Sequence, residues 1–152
     1  MIDIIHRVGI RTSVEKVYAA LSTVDGIGGW WTQQTSGVSE PGARIALEFH
    51  SPDGSKVGDI EMTVVDLEPG KHVHWRFLSG PREWIDTDAT FELAQDGEWT
   101  IVRFGHRRWR EASEFTEHCS TKWATFLLSL KDFVETGRGR PAPADLWIGN
   151  WH

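Results

Sequence analysis

A pair of histidines is the first feature of the sequence whose spacing invites a chemical interpretation. His72 and His74 flank a single residue in the stretch "HVHWRFL", so a strand would place both rings on the face opposite to Trp75. Zinc sites use three or four protein ligands, and the neighbouring sequence offers no third one. We therefore predict no metal site, and we expect both rings on the solvent side of a sheet.

Nucleophilic catalysis is the second kind of chemistry to consider. Cys119 is the single cysteine and follows His118, but consecutive residues of a helix point about 100° apart and cannot form a dyad. His106, from another element, is a base that could meet Cys119 and lower the pKa of its thiol. A small buried apolar role is the alternative that we favour. We predict no catalytic residue and no cofactor, and we favour a non-enzymatic function without excluding an enzyme.

Three glycines lead into two adjacent tryptophans in the stretch "STVDGIGGWWT", residues 22–32. No strand precedes it and it lacks the Gly-Lys-Ser/Thr and GxGxxG patterns, so it is not a phosphate-binding loop. Trp30 and Trp31 have two overlapping interpretations. Either both rings plug the open end of a core, which we favour, or one of them contacts a ligand at the rim of a crevice.

Composition excludes several classes of protein. The chain has 152 residues and a formal net charge of −6, which argues against binding nucleic-acid phosphates. We interpret the basic stretch "HRRWR" at 106–110 as a solvated strand end. No apolar run reaches the ~20 residues that span a bilayer, and no signal peptide is visible. We predict a cytoplasmic protein with one domain over 1–152, a core at about 2–137 and a C-terminal extension at 138–152.

Hydrophobic periodicity predicts the elements of the first two thirds of the chain. Residues 2–10 alternate as a strand, and residues 12–22 have helical spacing behind a capping box formed by Thr12 and Glu15. Five or six strands then occupy residues 43–106. Their turn-type connections predict antiparallel neighbours.

A long amphipathic stretch at 113–137 predicts a helix of ~23 residues, about 35 Å in length. Ser113 suits its start and Gly137 suits its end. An antiparallel sheet with one apolar face must cover that face. A single helix lying across the sheet covers it incompletely, so this α+β arrangement predicts a crevice between the helix and the strands.

Four stretches resemble a known family: "SVEKVYAALSTVDGIGGWWT", "GDIEMTVVDLEPGKHVHWRF", "WTIVRFGHRRW" and "HCSTKWATFLLSLKDFVETGRGRP". They resemble the START-like (SRPBCC) superfamily, and within it the bacterial proteins related to the C-terminal domain of the activator of heat-shock protein 90 ATPase. The resemblance implies a helix-grip fold. In that fold a curved antiparallel sheet wraps around a long C-terminal helix, and a short helical segment follows the first helix.

Strand parity and the apolar stripe of the long helix together predict which residues line the crevice. The expected ligand-binding residues are Trp30, Trp31, Phe49, Met62, Trp75, Phe91, Phe104, His106, Cys119, Trp123 and Phe126. His106 and His6 are the polar residues expected to face inward. A hydrogen-bonded core histidine is the alternative that we favour for each.

Three functions agree with these observations, and the first is our prediction. The crevice binds a small apolar or aromatic molecule, with His106 orienting its polar end. The second function is a co-chaperone-like interaction module with a chaperone partner, as the family resemblance implies. The third is a cyclase or hydrolase that acts inside the same cavity through an inward acid-base group such as His106.

The C-terminal extension carries apolar residues that a free tail would seldom expose. Trp147 and Trp151 lie in the stretch "DLWIGNWH", beyond the last helix. The segment either folds back on the sheet or makes a homodimer contact. We favour the first.

Overall fold

The fold is one antiparallel sheet whose inner face packs against a long helix. The computed structural model describes residues 1–152. The strands are β1 (Ile2–Ile10), β2 (Gln34–Gly37), β3 (Arg44–His50), β4 (Lys56–Glu68), β5 (His72–Ser79), β6 (Asp88–Asp96) and β7 (Trp99–Trp109). The helices are α1 (Val14–Ser22), α2 (Val24–Gly28) and α3 (Glu114–Thr136), and one 3₁₀ turn spans Arg82–Trp84. The predicted helix-grip α+β class, with its short helix after α1, is confirmed.

The sheet follows chain order except at its first strand. Its strand order is β1-β7-β6-β5-β4-β3-β2, so β1 and β2 form the two edges. Each neighbouring pair is antiparallel, and the short connections had predicted this for the consecutive strands β3 to β7. The pairing of β1 with β7 brings together residues from the two ends of the sheet-forming sequence, with Val8 opposite Val102.

Alternation along β5 separates an apolar inner face from a polar outer face. Val73, Trp75 and Phe77 are buried, whereas the residues between them are half-buried. His72 and His74 lie on the face opposite to Trp75, as predicted. Each approaches a carboxylate there: His72 Nδ1 lies 2.6 Å from Glu92, and His74 Nε2 lies 3.1 Å from Asp88.

Helix α3 has the predicted signals at both ends. Ser113 Oγ accepts from the backbone N–H of Thr116, and the Thr116 side chain accepts from the backbone N–H of Ser113, which completes a capping box. Gly137 ends the helix in the left-handed region, with φ at 86°. No helix of the protein, α3 included, combines the length and the apolar character that crossing a membrane requires.

Helix α1 begins differently from the prediction, and the Thr12–Glu15 capping box is wrong. Its N-cap is Ser13, which makes no side-chain capping bond. The first backbone amide, that of Val14, instead donates to the side-chain carbonyl of Gln95 on β6 at 2.8 Å. Gln95, distant in sequence, thus accepts the hydrogen bond that a capping side chain next to the helix would accept. The hydrophobic pattern of the sequence cannot predict such a distant partner.

Two further elements differ from the sequence prediction. Strand β2 was not predicted, because its residues are polar and largely exposed at a sheet edge and have no apolar alternation. The basic stretch 106–110 is solvated only in part. His106 and Trp109 are fully buried, and only the arginines between and after them reach the surface.

The C-terminal segment folds back on the body of the protein, as favoured. Ala142 is buried and pairs in parallel with Thr32. Its N–H donates to the carbonyl of Trp31 at 2.8 Å, and its carbonyl accepts from the N–H of Gln33 at 3.1 Å. The tail is therefore fixed to the segment that follows the paired tryptophans.

The glycines of α2 provide a matched pair for a stability test. A Cβ on Gly26 would lie 2.6 Å from the carbonyl oxygen of Ala19 and 2.7 Å from the Cα of Ala20, whereas a Cβ on Gly28 meets nothing within 4 Å. We expect Gly26→Ala to lower the free energy of unfolding by about 1–3 kcal/mol, because backbone atoms must move. Gly28→Ala should leave it unchanged or raise it by up to about 1 kcal/mol. Urea unfolding followed by tryptophan fluorescence measures both, and equal losses would contradict the steric explanation.

Candidate functional site

A cavity of about 260 Å³ lies between the first half of α3 and the sheet. Strands β3 and β4, the loop containing the 3₁₀ turn and the C-terminal segment complete its walls. The apolar walls are Trp31, Phe49, Val57, Ile60, Pro81, Trp84, Phe115, Cys119, Trp123 and Phe126. Gly58 contributes to the lining, and the polar or charged lining residues are Asp59, His118, Lys122 and His152.

Trp31 forms part of both the core and the cavity wall. Its ring stacks on Trp75 at a centroid distance of 5.8 Å and approaches Trp123 to 5.0 Å. Only 2% of the residue is exposed. Trp31 therefore joins the sheet to α3 and presents its remaining edge to the cavity.

Trp30 has a different position and does not line the cavity. It is fully buried, and its indole N–H donates to the carbonyl of Ala20 at 2.9 Å. Ser129 on α3 donates to the backbone carbonyl of Trp30 at 2.8 Å. Each of the two interpretations made from the sequence thus applies to one of the adjacent tryptophans. Trp30 plugs the core, and Trp31 forms part of the cavity wall.

The structure brings together only some of the residues expected at the site. Those that line the cavity are Trp31, Phe49, Cys119, Trp123 and Phe126. Those that are buried but lie outside the lining are Trp30, Met62, Trp75, Phe91, Phe104 and His106. Parity identified the inner face correctly, but other side chains cover most of that face and leave only one end open.

Sequence reasoning missed the wall formed by the 3₁₀ turn and the polar side of the cavity. Trp84 stacks on Trp123 at 5.9 Å with an interplanar angle of 13°. A tryptophan in the loop "SGPREW" was the signal that could have found it, since a large ring is seldom left in water. Lys122 and His118 belong to the polar side of α3, and His152 reaches the cavity only because the tail folds back.

His106 is a hydrogen-bonded core residue and not a group in the cavity. Its Nδ1 accepts from the indole N–H of Trp123 at 3.0 Å, so in the neutral ring Nε2 carries the proton. That Nε2 lies 2.7 Å from the hydroxyl of Thr87, which in turn donates to the carbonyl of Trp84. Burial lowers the pKa of His106 to about 3, although the charge of Asp88 acts in the opposite direction. The expectation that His106 orients a ligand, or acts as the acid-base group of a cyclase or hydrolase, therefore lacks its geometric basis.

The relay through His106 holds the Trp123 ring and the backbone of Trp84, and the rings of these two cavity-lining tryptophans stack on each other. It begins at the Trp123 indole, passes through His106 and Thr87, and ends at the Trp84 backbone. Every member is buried, and a satisfied buried network specifies one arrangement. His106 is thus a positioning residue for the aromatic walls. His6 has a lesser role outside the cavity, with its Nε2 3.1 Å from the carbonyl of Ser120 on α3.

Cys119 lines the cavity without an activating partner. Burial raises the pKa of its thiol to about 12. The considered pairing with His106 does not form, because both ring nitrogens of His106 are bonded elsewhere. The thiol is protonated at neutral pH and contributes apolar surface, as favoured from the sequence.

The polar side of the cavity contains an ion pair between α3 and the tail. Lys122 Nζ donates to Asp145 Oδ2 at 2.6 Å and also to the carbonyl of Leu146. The Asp145 side chain is only 2% exposed. His152 lies nearby, with Nε2 3.9 Å from the same carboxylate oxygen, and burial lowers its pKa. The structure contains no group of three or more histidine, cysteine or acidic side chains arranged to hold a metal ion.

Comparison with known proteins identifies the fold and one similar protein. Residues 11–135 match the family described as activator of Hsp90 ATPase homolog 1-like protein. The Aha1 dimer from Colwellia psychrerythraea, solved in solution, is 42% identical with a TM-score of 0.79, over 91% of this chain and 100% of that one. No curated protein matches the sequence closely enough to support an inference.

More distant solved structures share the fold. Protein SSP2350 from Staphylococcus saprophyticus is 19% identical with a TM-score of 0.72, over 91% of this chain and 95% of that one. CalU16 from Micromonospora echinospora is 18% identical with a TM-score of 0.69, over 93% of this chain and 77% of that one. At these identities the likeness concerns the fold alone.

Because the pKa of His106 is lowered in the folded protein, we expect the protein to lose stability in acid. An unfolded histidine binds its proton near pH 6.5, whereas the folded protein binds it only near pH 3. The buried neutral His106 therefore contributes fully to the free energy of unfolding above pH 6.5. As the pH falls from 6.5 towards 3, the free energy of unfolding decreases by about 1.4 kcal/mol per pH unit. In His106→Gln, which can accept from Trp123 and donate to Thr87, the free energy of unfolding should depend less steeply on pH by about that slope between pH 6 and 4.5. Urea titrations of both proteins measure the difference, and identical slopes would refute it.

Proposed function

The chain belongs to the family of activator of Hsp90 ATPase homolog 1-like proteins, with a START-like (SRPBCC) fold, and we propose that it binds a small apolar or aromatic molecule in the cavity beside α3. The site has concave, mainly aromatic walls and a few polar groups on one side. That combination is typical of small-molecule sites.

The observation that carries the proposal is that buried hydrogen bonds hold the Trp123 ring and the backbone of Trp84 in place at the cavity wall. The Trp123 indole donates into the relay through His106, so this ring cannot move into the space without breaking its hydrogen bond, and the relay ends on the backbone carbonyl of Trp84. Collapse would leave buried polar groups unpaired, at a cost of roughly 1–3 kcal/mol for each group. A cavity kept open against that alternative is suited to receiving a ligand.

The volume restricts the ligand to a small molecule. Drug-sized pockets occupy ~300–1,000 Å³, and this cavity, at about 260 Å³, lies just below that range. A compound of one or two rings fits such a volume, whereas a long-chain lipid would extend beyond it.

Blocking the cavity provides the test of ligand binding. We expect native mass spectrometry of protein purified without denaturant to show a mass excess that denaturation removes. Cys119→Phe should abolish the excess, because the new ring enters the cavity. Leu128→Phe places the same ring on a residue of α3 that is 54% exposed and should retain it.

Cys119→Phe and its control Leu128→Phe also show which results would contradict ligand binding in the cavity. Circular dichroism must first show that both variants keep the helix and sheet content of the wild type. An equal mass excess in Cys119→Phe would place the bound molecule elsewhere on the protein. A bare mass for the wild type and for both variants would count against the proposal.

A second candidate function is protein interaction through the C-terminal segment, in a homodimer or with a chaperone. The 42% identical relative is an Aha1 dimer. In this chain the apolar side chains of Leu146, Trp147 and Trp151 are 45%, 46% and 40% exposed. Exposed apolar groups clustered in one segment are typical of interaction surfaces. The surface would then be the part of the tail that remains outside after folding back.

Light scattering coupled to size exclusion tests this second function. If the tail forms the interface, the wild type should elute as a dimer and the double variant Trp147→Ser/Trp151→Ser as a monomer, because the buried aromatic surface is lost. Trp99→Ser is the matched control, since Trp99 is also 41% exposed but lies on β7 next to Arg11 and Lys131. A monomeric wild type would exclude the dimer. Failure to stimulate a heat-shock protein 90 ATPase, even in excess, would exclude the chaperone role.

A further inference from the structure

The cavity is polar on one side only, and nitrogen atoms dominate that side. His118 and Lys122 lie one turn apart on α3, and the tail brings His152 next to them, with its carbonyl 3.2 Å from His118 Nε2. The acidic lining residue is Asp59, across the cavity on β4. Its carboxylate already pairs with Lys56 at 2.6 Å.

Lys122 retains one donor that the protein does not use. An ammonium group has three N–H bonds, and Lys122 spends two of them on Asp145 and on the carbonyl of Leu146. The group lies 5.3 Å from the centre of the Phe126 ring, which is itself a cavity wall. The third N–H is therefore available at the boundary between the apolar walls and the polar side.

His152 provides a second unused group. Its Nε2 is buried and has no hydrogen-bond partner, and the distance of 3.9 Å to Asp145 is too long for a hydrogen bond. A buried nitrogen without a partner is costly in a folded protein. A ligand oxygen placed in the cavity could satisfy both His152 and Lys122.

Asp145 is the acidic partner of Lys122 in the protein itself. A buried ammonium needs a partner, and the Asp145 side chain, almost completely buried in the tail, supplies it. The tail lies outside the residues that match the family, which end at 135. The charged end of the site is therefore built jointly by α3 and a segment beyond the family match.

We propose that the ligand is an aromatic carboxylate. Its ring lies against Trp84, Trp123 and Phe126, and its carboxylate accepts from Lys122 and His152. This assignment rests on the proposed function and names the ligand class for the same cavity. A carboxylate is favoured over a cation because the unused groups of the lining residues are nitrogens, on Lys122 and His152, and the lining acid Asp59 is already paired. Asp145 Oδ1 is also buried without a partner, but Asp145 does not line the cavity.

Three probes of equal ring size test the assignment by isothermal titration calorimetry. They are 2-naphthoate, the neutral 2-naphthalenemethanol and the cationic 2-naphthylmethylammonium. We expect 2-naphthoate to bind at least about ten-fold more tightly than the alcohol, because charge-assisted hydrogen bonds are the strong ones. The cation should bind more weakly than the alcohol.

Variants connect the selectivity to the named groups. Lys122→Met/Asp145→Asn removes the ion pair without leaving a buried charge, and it should bring the affinities for naphthoate and alcohol to within about two-fold. Lys131→Met is the control, since Lys131 is a lysine of the same helix that bonds to Gly9 and Glu135, away from the cavity. It should leave the ten-fold preference intact.

The outcomes distinguish the carboxylate assignment from the underlying proposal that the cavity binds a small apolar or aromatic molecule. Equal affinity of the wild type for the three probes overturns the carboxylate and leaves the apolar cavity standing. No binding of any probe overturns both. If the double variant does not fold, His152→Phe takes its place and should reduce the preference by about three-fold. Full preference in that variant overturns the assignment.

Discussion

The Trp31 ring packs against aromatic side chains of the sheet and of α3, and the position of α3 over the sheet depends on these contacts. Its aromatic neighbours are Trp30, Phe49, Trp75, Phe77, Trp123 and Phe126. Such pairs contribute about 0.5–1.5 kcal/mol each beyond the area they bury. Because Trp31 comes from the connection between α2 and β2, one ring joins a loop, the sheet and the long helix. Trp31 and its α3 neighbours Trp123 and Phe126 also line the cavity, so the same contacts form part of its wall.

The polar side chains at the site form two hydrogen-bond networks, which differ in whether all their groups have partners. The relay through His106 is closed: each donor has its acceptor, and its effect is to fix the walls. The group around Lys122 and Asp145 is open, because one N–H of Lys122, the Nε2 of His152 and the Oδ1 of Asp145 remain without partners. A closed network confers rigidity, whereas an open one at a cavity confers the capacity to bind.

Periodic patterns predicted the fold well because they report which face of each element is buried. The strands of the central sheet and both ends of α3, at Ser113 and Gly137, follow from local rules. The site was less accessible to such rules. Cys119 and Trp123 were found because the apolar stripe of α3 contains them, but Trp84 belongs to a loop and His152 to the tail. Their places depend on contacts between residues far apart in the chain, which no window of sequence contains.

The edge position of β1 has a consequence for how the chain folds. The strand ends at Ile10, yet its partner begins only at Trp99. During synthesis the first strand therefore emerges long before the strand that completes its hydrogen bonds, and its backbone edge stays unpaired for most of that time. Contacts of such large sequence separation make folding slow, in the range of milliseconds to seconds for β-rich domains. Until β7 has been synthesised, this unpaired edge is a template on which a strand of another protein can pair.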